Sequence, residues 1–259
     1  MKAVILCGGK GTRIRDVSQD LPKPMIKVGS KPIIWHIMKG YAAHDVADFV
    51  LCLGYNGTKI KEFFLNYRIQ ESDVTVCLRD KPKVDLHGGF EEENWTVTLA
   101  NTGEESLTGR RIRLIKDYIG NDDIFLLTYG DGVSDLDIGK AIAFHKEHGK
   151  AMTVTGVRPP GRFGELAFDD AGQVTEFNEK PQATGGWISG GFFVCSRKVF
   201  DYMGTDNVML EEEPMRAIQA AGQLMVYRHE GFWQCMDTYR DYKLLNRLWE
   251  TQSAPWKTW

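Results

Sequence analysis

Short apolar runs alternate with segments of helical period along the first 158 residues of the chain. Four runs rich in aliphatic and β-branched residues predict strands over Ala3–Cys7, Asp48–Leu53, Ile124–Thr128 and Met152–Val157. Between them, apolar residues recur at i, i+3 and i+4, which predicts one helix opened by Pro32 and running to Tyr41 and another over Ile60–Tyr67. This alternation is typical of an α/β fold whose mostly parallel sheet carries helices on its faces.

Two further helices are marked by their boundaries. Thr108 is predicted to cap the N-terminus of a helix that carries Ile112, Ile115 and Ile119. A helix over Leu136–His148 is expected after the turn Gly130-Asp131-Gly132.

The pattern changes after about residue 158. Glu165–Phe168 and Gln173–Asn178 flank a turn in the manner of a hairpin, and Trp187–Val194 is strongly apolar, so mixed or antiparallel strands should extend the same sheet. Helices over Glu211–Ala221 and Thr238–Thr251 would close a single domain of 259 residues. The polar segment Lys81–Asn94 interrupts the pattern and predicts a surface excursion.

Composition and charge exclude several classes of protein. A chain with 42% hydrophobic and 26% charged residues is neither disordered nor fibrous. At this length, folding buries roughly 73% of the surface, which is enough for a sizeable core. The net charge of −3 provides no basic field, so we expect no nucleic-acid or membrane partner.

The cysteines and histidines suggest no metal or disulfide framework. Five cysteines are widely spaced without a C-x-x-C pair, and the six histidines lack metal-ligand spacing. The first apolar run is too short for a signal peptide. We therefore expect a cytoplasmic protein with reduced thiols.

A glycine-rich loop follows the first predicted strand. Gly8-Gly9-Lys10-Gly11-Thr12-Arg13 places backbone N–H groups, a hydroxyl and two cations where α/β sheets bind phosphates. Its spacing fits neither G-x-G-x-x-G nor the P-loop, which disfavours dinucleotide oxidoreductases and P-loop kinases. A merely flexible turn would not be expected to concentrate Lys10, Arg13 and Arg15.

A lysine bracketed by prolines follows ten residues later. In Pro22-Lys23-Pro24 the two rings fix φ and exclude a helix, so the ammonium is presented from a stiff segment.

Taken together, Gly8-Gly9-x-Gly11-Thr12-Arg13 and Pro22-Lys23-Pro24-Met25 closely resemble the signature of the sugar-1-phosphate nucleotidyltransferases. Within that family the chain is similar to the glucose-1-phosphate cytidylyltransferases. The segments that carry this likeness are 129–133, 160–164, 179–181, 190–193, 231–234, 236–238 and 254–259, with Thr102-Gly103, Thr108-Gly109 and Arg111.

The resemblance implies a fold, a reaction and an assembly. It implies a single Rossmann-like domain with a small antiparallel excursion, in which residues 1–158 mainly bind the nucleotide and 159–259 mainly bind the sugar phosphate. It implies Mg²⁺-dependent transfer of a cytidylyl group from CTP to α-D-glucose 1-phosphate, giving CDP-glucose and pyrophosphate for bacterial surface polysaccharides. It also implies a homo-oligomer, with a trimer-based hexamer as the first expectation.

The resemblance also assigns site residues. Arg13 and Lys23 would bind the triphosphate, and Asp131 and Asp237 would bind Mg²⁺, since hard oxygen ligands suit that ion. The alternative for Asp237 is to cap the helix that starts near Thr238. The other expected nucleotide contacts are Leu6, Gly8, Gly9, Gly11, Thr12, Thr102, Gly103, Arg111 and Gly130. The expected sugar-phosphate contacts are Lys180, Glu179, Gly164, Ser189, Gly190 and Gly191.

The implied chemistry is in-line attack of the sugar phosphate on the α-phosphorus. Because that nucleophile is already ionised, positioning and charge neutralisation should suffice, without a general base or a covalent enzyme intermediate.

Three positions depart from the family pattern. Ser189 stands where asparagine is typical, Leu210 where tryptophan is expected and Arg110 where glycine is expected. The first two are smaller, which predicts a roomier sugar pocket; of the two arginines, only Arg111 is expected to contact the pyrimidine.

Two alternatives stay open on the sequence. One is a relative that uses another nucleotide or sugar phosphate, and the other is a non-catalytic module that senses sugar nucleotides. The joint presence of Arg13, Lys23, Asp131, Lys180 and Asp237 disfavours the second. The acidic runs 91–93 and 211–213 are expected to be solvated faces, although the resemblance places an acidic-Pro segment like Glu213-Pro214 near the sugar.

Overall fold

The computed structural model describes residues 1–9, 14, 20–79, 83–88, 93–159, 165–168, 173–178 and 186–259. The strands are β1 (Lys2–Cys7), β2 (Lys27–Val28), β3 (Lys31–Pro32), β4 (Asp48–Leu53), β5 (Asp73–Cys77), β6 (Lys83–His87), β7 (Thr96–Asn101), β8 (Ile124–Tyr129), β9 (Gly132–Ser134), β10 (Met152–Val157), β11 (Glu165–Phe168), β12 (Val174–Asn178), β13 (Ile188–Ser196), β14 (Leu224–His229) and β15 (Trp233–Cys235). The helices are α1 (Ile33–Ala42), α2 (Gly57–Leu65), α3 (Tyr67–Gln70), α4 (Thr108–Leu114), α5 (Lys116–Ile119), α6 (Ile138–His148), α7 (Glu213–Ala220) and α8 (Tyr239–Glu250). Lys23–Met25 and Arg197–Tyr202 form 3₁₀ turns.

Seven strands form the central sheet, in the order β14-β10-β13-β8-β1-β4-β7. Strand β13 runs antiparallel to both of its neighbours, and the other pairs are parallel. The predicted mixed, mostly parallel α/β sheet is therefore confirmed. The four predicted strands of the first half are β1, β4, β8 and β10, and the apolar run expected at Trp187–Val194 is β13.

The central strands are apolar on both faces because helices cover both. On one face, Ile5 and Leu51 pack in a cluster with Ile33 and Ile37 of α1. On the other face, Val4 lies in a cluster with residues of α4 and α7. This double cover explains why β1 appears in the sequence as a continuous apolar run instead of an alternating one.

Two helix predictions need correction. The helix expected over Ile60–Tyr67 is divided at Asn66 into α2 and α3. Thr108 does not cap α4 but is its first residue, and its hydroxyl instead accepts from Leu210 N at 2.7 Å and donates to Glu211 Oε2 at 3.0 Å. The Thr108 hydroxyl is thus bonded to residues about 100 positions away instead of to the first turn of its own helix. Sequence spacing does not reveal such a contact.

Two of the hairpins outside the main sheet fall in segments for which the sequence made a prediction. Strands β11 and β12 pair antiparallel, which confirms the predicted hairpin. Strand β6 falls within the predicted excursion and pairs antiparallel with β5. The β5–β6 hairpin exposes large apolar side chains, namely Val74, Val76, Val84 and Leu86. None of the helices in the described ranges is both long and apolar enough to span a bilayer.

Candidate active site

A cavity of about 320 Å³ opens at the carboxyl ends of β1 and β8, the central strands of the sheet. This is where open α/β sheets bind ligands. The described residues that line it are Leu6, Cys7, Gly8, Gly9, Ile14, Lys23, Pro24, Thr108, Arg111, Tyr129, Gly130, Asp131 and Asp237. Eight of these are residues that the sequence predicts for the site. Gly11, Thr12, Arg13, Gly164, Glu179 and Lys180 lie outside the described residues.

A short antiparallel ladder brings Asp131 and Asp237 together. Strand β15 pairs with β9 so that Cys235 lies opposite Gly132, and Met236 N donates to Asp131 O at 2.8 Å. The ladder thus continues one residue past each strand, which places the carboxylate after Met236 at the end of β8. Two residues 106 positions apart reach one cavity by this backbone register.

Lys23 lies between these carboxylates. Its Nζ donates to Asp131 Oδ2 at 2.6 Å and also to Asp237 Oδ1. Burial opposes the charged ammonium, but the two carboxylates, Asp131 foremost, outweigh it and raise the pKa of Lys23. The lysine is therefore a fixed positive charge in the cavity.

The proline bracket positions Lys23, although not as the sequence predicts. Lys23 begins a 3₁₀ turn closed by Met25 N donating to Pro22 O at 2.8 Å, so the prolines exclude an α-helix but not this tighter turn. Pro24 packs so closely on Gly130 that a Cβ there would lie 2.8 Å from its ring. Gly130 thus allows the lysine segment to approach the end of β8.

Asp237 does not cap the C-terminal helix. That role belongs to Thr238, whose hydroxyl accepts from Asp241 N while Asp241 Oδ2 accepts from Thr238 N at 2.9 Å, a complete capping box. Because the cap is supplied by its neighbour, the Asp237 carboxylate is available to the cavity.

The two carboxylates fit a hard divalent cation. Both bind the same ammonium, so their oxygens lie within about two hydrogen-bond lengths, roughly 6 Å, of each other. No group of three or more metal-ligating side chains occurs among the described residues. A cation here would accordingly be held by two carboxylates together with oxygens of a substrate.

Arg111 connects the ends of three strands beneath the cavity. Its Nη1 donates to Leu53 O at 3.0 Å and Gly103 O at 2.7 Å, and its Nη2 donates to Gly8 O at 3.2 Å. A Cβ at Gly8 would lie 2.1 Å from the guanidinium carbon, so a glycine is required there. Arg110, in contrast, is exposed. The structure therefore places the two arginines in different surroundings and gives Arg111 a bracing role that the sequence does not reveal.

Thr102 and Gly103 lie behind the cavity, in contact with Arg111. Thr102 Oγ1 accepts from Arg111 Nη1 at 2.7 Å and donates to Leu53 O at 2.7 Å. Neither residue is part of the cavity lining. Their place in the network is to hold the arginine.

Sequence reasoning misses Tyr129 and Thr108 as cavity residues and underestimates Glu211. The Tyr129 hydroxyl donates to Glu211 Oε1, and the Thr108 hydroxyl donates to the other oxygen of that carboxylate. Glu211 is exposed, as expected of its acidic run, yet it is bonded to two residues that line the cavity. Tyr129 begins the segment 129–133 that carries the family resemblance, at the end of an apolar strand, but the resemblance assigned no role to it.

Strand β13, which carries the expected sugar contacts Ser189, Gly190 and Gly191, lies beside the cavity without lining it. Gly191 has φ of +77°, and its backbone packs against the Tyr129 ring. Trp233 Nε1 donates to Gly190 O at 2.7 Å, and Ser189 is exposed. Leu210 is fully buried in the core, so the expectation that its small size opens the pocket is wrong.

The cysteines near the site are poorly suited to act as nucleophiles. Burial raises the pKa of Cys7 well above its usual range, and burial together with the Asp237 charge raises that of Cys235 to about 12. Both thiols are neutral at pH 7, which fits chemistry without a covalent thioester or thiophosphate.

The model of the nucleotidyl transferase family matches residues 2–250. Glucose-1-phosphate cytidylyltransferase of Salmonella typhi is 49% identical over 259 residues, and the alignment covers all of both chains. Mannose-1-phosphate guanyltransferase of Aspergillus fumigatus is 30% identical over 98% of this chain and 65% of its own length.

Among solved structures, HddC from Yersinia pseudotuberculosis has a TM-score of 0.67 at 23% identity, covering 96% of this chain and 99% of that chain. UTP-bound UGPase from Acinetobacter baumannii also has a TM-score of 0.67, at 17% identity, with 97% and 93% covered. These likenesses bear out the fold.

Proposed function

This chain belongs to the nucleotidyl transferase family, and on that premise we propose that it transfers a cytidylyl group from CTP to α-D-glucose 1-phosphate, releasing pyrophosphate and forming CDP-glucose. The full-length likeness to a glucose-1-phosphate cytidylyltransferase supports the choice of substrates. The observation that carries the proposal is the meeting of Lys23, Asp131 and Asp237 in one cavity at the end of the central strands.

Lys23 is proposed to neutralise the triphosphate. Its ammonium is held by two carboxylates, and a nucleotide phosphate entering the cavity would offer it a third anionic partner. A compact ammonium with three donors can bridge such groups without a large rearrangement. Arg13 is proposed to share the charge of the triphosphate.

Asp131 and Asp237 are proposed to hold a divalent cation, with Mg²⁺ as its identity. When bound, the ion would supply positive charge to the phosphate oxygens of CTP. The protein's contribution is the spacing of the two carboxylates, which the β9–β15 ladder fixes.

The acceptor needs no general base. A sugar phosphate carries most of its second negative charge at pH 7, since that ionisation has a pKa near 6. The enzyme therefore has to hold the phosphate oxygen in line with the α-phosphorus and keep water out. Lys180 is proposed to bind the acceptor phosphate, with Glu179, Gly164, Ser189, Gly190 and Gly191 beside the sugar.

A purely sensing role is disfavoured by the same three residues. A module that only recognises a sugar nucleotide could dispense with paired carboxylates around a cation site. Their presence around one ammonium supports catalysis.

A homo-oligomer is also proposed, with a hexamer as the first expectation. The β5–β6 hairpin supports it, because Val76 is 52% and Val84 49% exposed on a two-stranded element, and another copy of the chain would cover them. Light scattering coupled to gel filtration measures the molecular mass of the assembly, and a monomeric mass would reject the proposal.

A cytoplasmic location is proposed as well. Five free cysteines support a reducing compartment.

The experiment that tests the activity is product identification. The purified protein is incubated with CTP, Mg²⁺ and α-D-glucose 1-phosphate. The products are separated by anion-exchange chromatography and identified by mass spectrometry. We expect CDP-glucose and pyrophosphate in equal amounts, and neither when one substrate is omitted. Release of pyrophosphate that does not depend on the sugar phosphate would instead indicate CTP hydrolysis.

A further inference from the structure

A second cavity, of about 360 Å³, lies at the opposite end of the sheet from the candidate active site. It is bounded by the first residue of β8, the last of β13 and the connection from α6 to β10. The residues that line it are Asp123, Ile124, His145, Lys146, Gly149, Lys150, Ser196, Arg197 and Lys198. From the geometry we infer that this cavity is a separate site for a small polyphosphate anion. The inference does not depend on the proposed activity.

The charge of the lining is strongly one-sided. Lys146, Lys150, Arg197 and Lys198 contribute four positive charges, whereas Asp123 is the only carboxylate in the lining. The carbonyl end of α6 adds about half a negative charge, which does not reverse the balance. In a protein of net charge −3, such a local excess of cations is not a reflection of overall composition.

The lysines are not engaged elsewhere. Within the described part of the chain, no carboxylate lies within ion-pair distance of Lys146, Lys150 or Lys198. Arg197 is anchored by donating through Nη1 to Gly120 O. A guanidinium fixed at one nitrogen keeps further donors for an oxyanion.

A buried hydroxyl supplies the directional element. Ser196 is one of the lining residues, and its Oγ, which is covered from solvent in this rotamer, has no hydrogen-bond partner in the structure. Ser196 precedes a 3₁₀ turn but its side chain does not cap it. Buried polar groups are seldom left unpaired, and rotation of the serine about χ1 would turn this hydroxyl toward the cavity, where a phosphate oxygen would accept from it.

The two cavities are distinct but share strands. Strand β8 runs from Ile124 here to Tyr129 in the candidate active site, and six residues of strand span about 20 Å. A single bound nucleotide does not have to reach both. An anion bound here is therefore counted separately from one bound at Lys23.

The test is equilibrium dialysis with radiolabelled inorganic pyrophosphate at low salt, in EDTA. We compare the full chain with the double variant Lys150→Gln/Lys198→Gln and with a control double variant, Lys59→Gln/Lys140→Gln. The control removes two exposed lysines on helices, each of which pairs with a carboxylate three residues away. We expect wild type and control to bind one equivalent more than the double variant. Equal binding by all three, or an equal loss in the control, would overturn the inference.

Ser196→Ala separates a built site from diffuse attraction. Because the substitution leaves every charge in place, we expect about fivefold weaker pyrophosphate binding at this site alone. An unchanged binding curve would show that the lysines attract anions without a site, and the inference would fall. Thermal melts confirm that each variant is folded, and no readout requires cytidylyl transfer.

Discussion

Lys23 Nζ lies 2.6 Å from Asp131 Oδ2, although 108 positions separate the two residues in the sequence. The same ammonium binds Asp237, so one cation holds two carboxylates at the end of β8. The attraction of the lysine to both carboxylates offsets the repulsion between their like charges. In the proposed reaction, the same three groups are shared with the phosphates of the substrate and a cation.

Replacing Asp131 by asparagine should abolish most turnover. The amide keeps the shape but loses the charge that would hold the cation, so we expect kcat to fall roughly a thousandfold, the scale of losing a dedicated electrostatic group. Pyrophosphate release at saturating substrates measures it. The control Asp122→Asn removes a carboxylate that pairs with Lys2 far from the cavity, and it should leave kcat within twofold. Near-normal turnover in folded Asp131→Asn would refute the assignment.

Lys23→Gln should separate metal binding from turnover. The lysine competes with a divalent cation for Asp131 and Asp237, so its removal should tighten Mg²⁺ binding about tenfold in the absence of nucleotide. The reason is that the interaction energy between two unit charges at hydrogen-bond distance exceeds about 1.4 kcal/mol, which is a factor of ten in binding. At the same time kcat should fall, because the triphosphate loses its partner. Calorimetry and steady-state kinetics provide the two readouts. Weaker metal binding in the variant would contradict the arrangement.

Arg111→Ala should cost far more than Arg110→Ala. The first leaves carbonyls of Gly8, Leu53 and Gly103 without their charged donor, which we expect to lower the free energy of unfolding by about 2–4 kcal/mol. CTP binding should weaken as well, because the glycine loop loses its brace and the pyrimidine loses its expected contact. Arg110 is exposed and should change stability by less than about 0.5 kcal/mol. Equal effects in urea unfolding and CTP titration would refute the distinction.

Acidification should destabilise the fold through His36. This ring is 1% exposed, its Nε2 lies 2.9 Å from Val28 O, and burial lowers its pKa to about 4. Since the unfolded chain binds this proton near pH 6.5, stability is complete above that pH and is lost as the pH falls toward 4. The loss at pH 5 should be about 2 kcal/mol. His36→Gln should reduce the pH dependence of urea unfolding over this range without abolishing it, because burial also lowers the pKa of His145 to about 4, whereas the partly exposed His44→Gln should leave it unchanged.

The sugar site should tolerate more than one hexose. The Ser189 hydroxyl is a single donor, whereas the asparagine typical of the family at this position has an amide with two N–H donors. Loss of one hydrogen bond to the sugar is worth about 0.5–1.5 kcal/mol. We therefore expect at least one of galactose, mannose and glucosamine 1-phosphates to come within about tenfold of glucose 1-phosphate in kcat/KM. A hundredfold or greater preference for glucose over all three would refute this expectation.

The sequence was sufficient for those features that depend on local pattern. Strands covered on both faces are continuous apolar runs, so β1, β4, β8 and β10 could be located within a residue or two. The antiparallel entry of β13 and the hairpin β11–β12 followed from the change of pattern after residue 158. Lys23, Asp131 and Asp237 could be expected in one site from the motifs that carry the family resemblance, and they do meet in one cavity.

Contacts between distant residues could not be predicted in the same way. The Thr108 hydroxyl looks like a helix cap in sequence, but Leu210 and Glu211, about 100 positions later, take its hydrogen bonds. Leu210 looks like a pocket residue but is buried in the core. The five hydrogen bonds that bind Arg111 to backbone and Thr102 depend on the packing of three strand ends, which no spacing encodes.

Pyrophosphate release measured over a grid of CTP, UTP, GTP and ATP against several hexose 1-phosphates tests the central claim most directly. We predict that kcat/KM is highest for CTP with α-D-glucose 1-phosphate among the nucleotide pairings and that Asp131→Asn eliminates release in every pairing. A higher kcat/KM with another nucleotide would contradict the cytidylyl assignment. No sugar-dependent release in any pairing would contradict the account of this cavity as a nucleotidyltransferase active site.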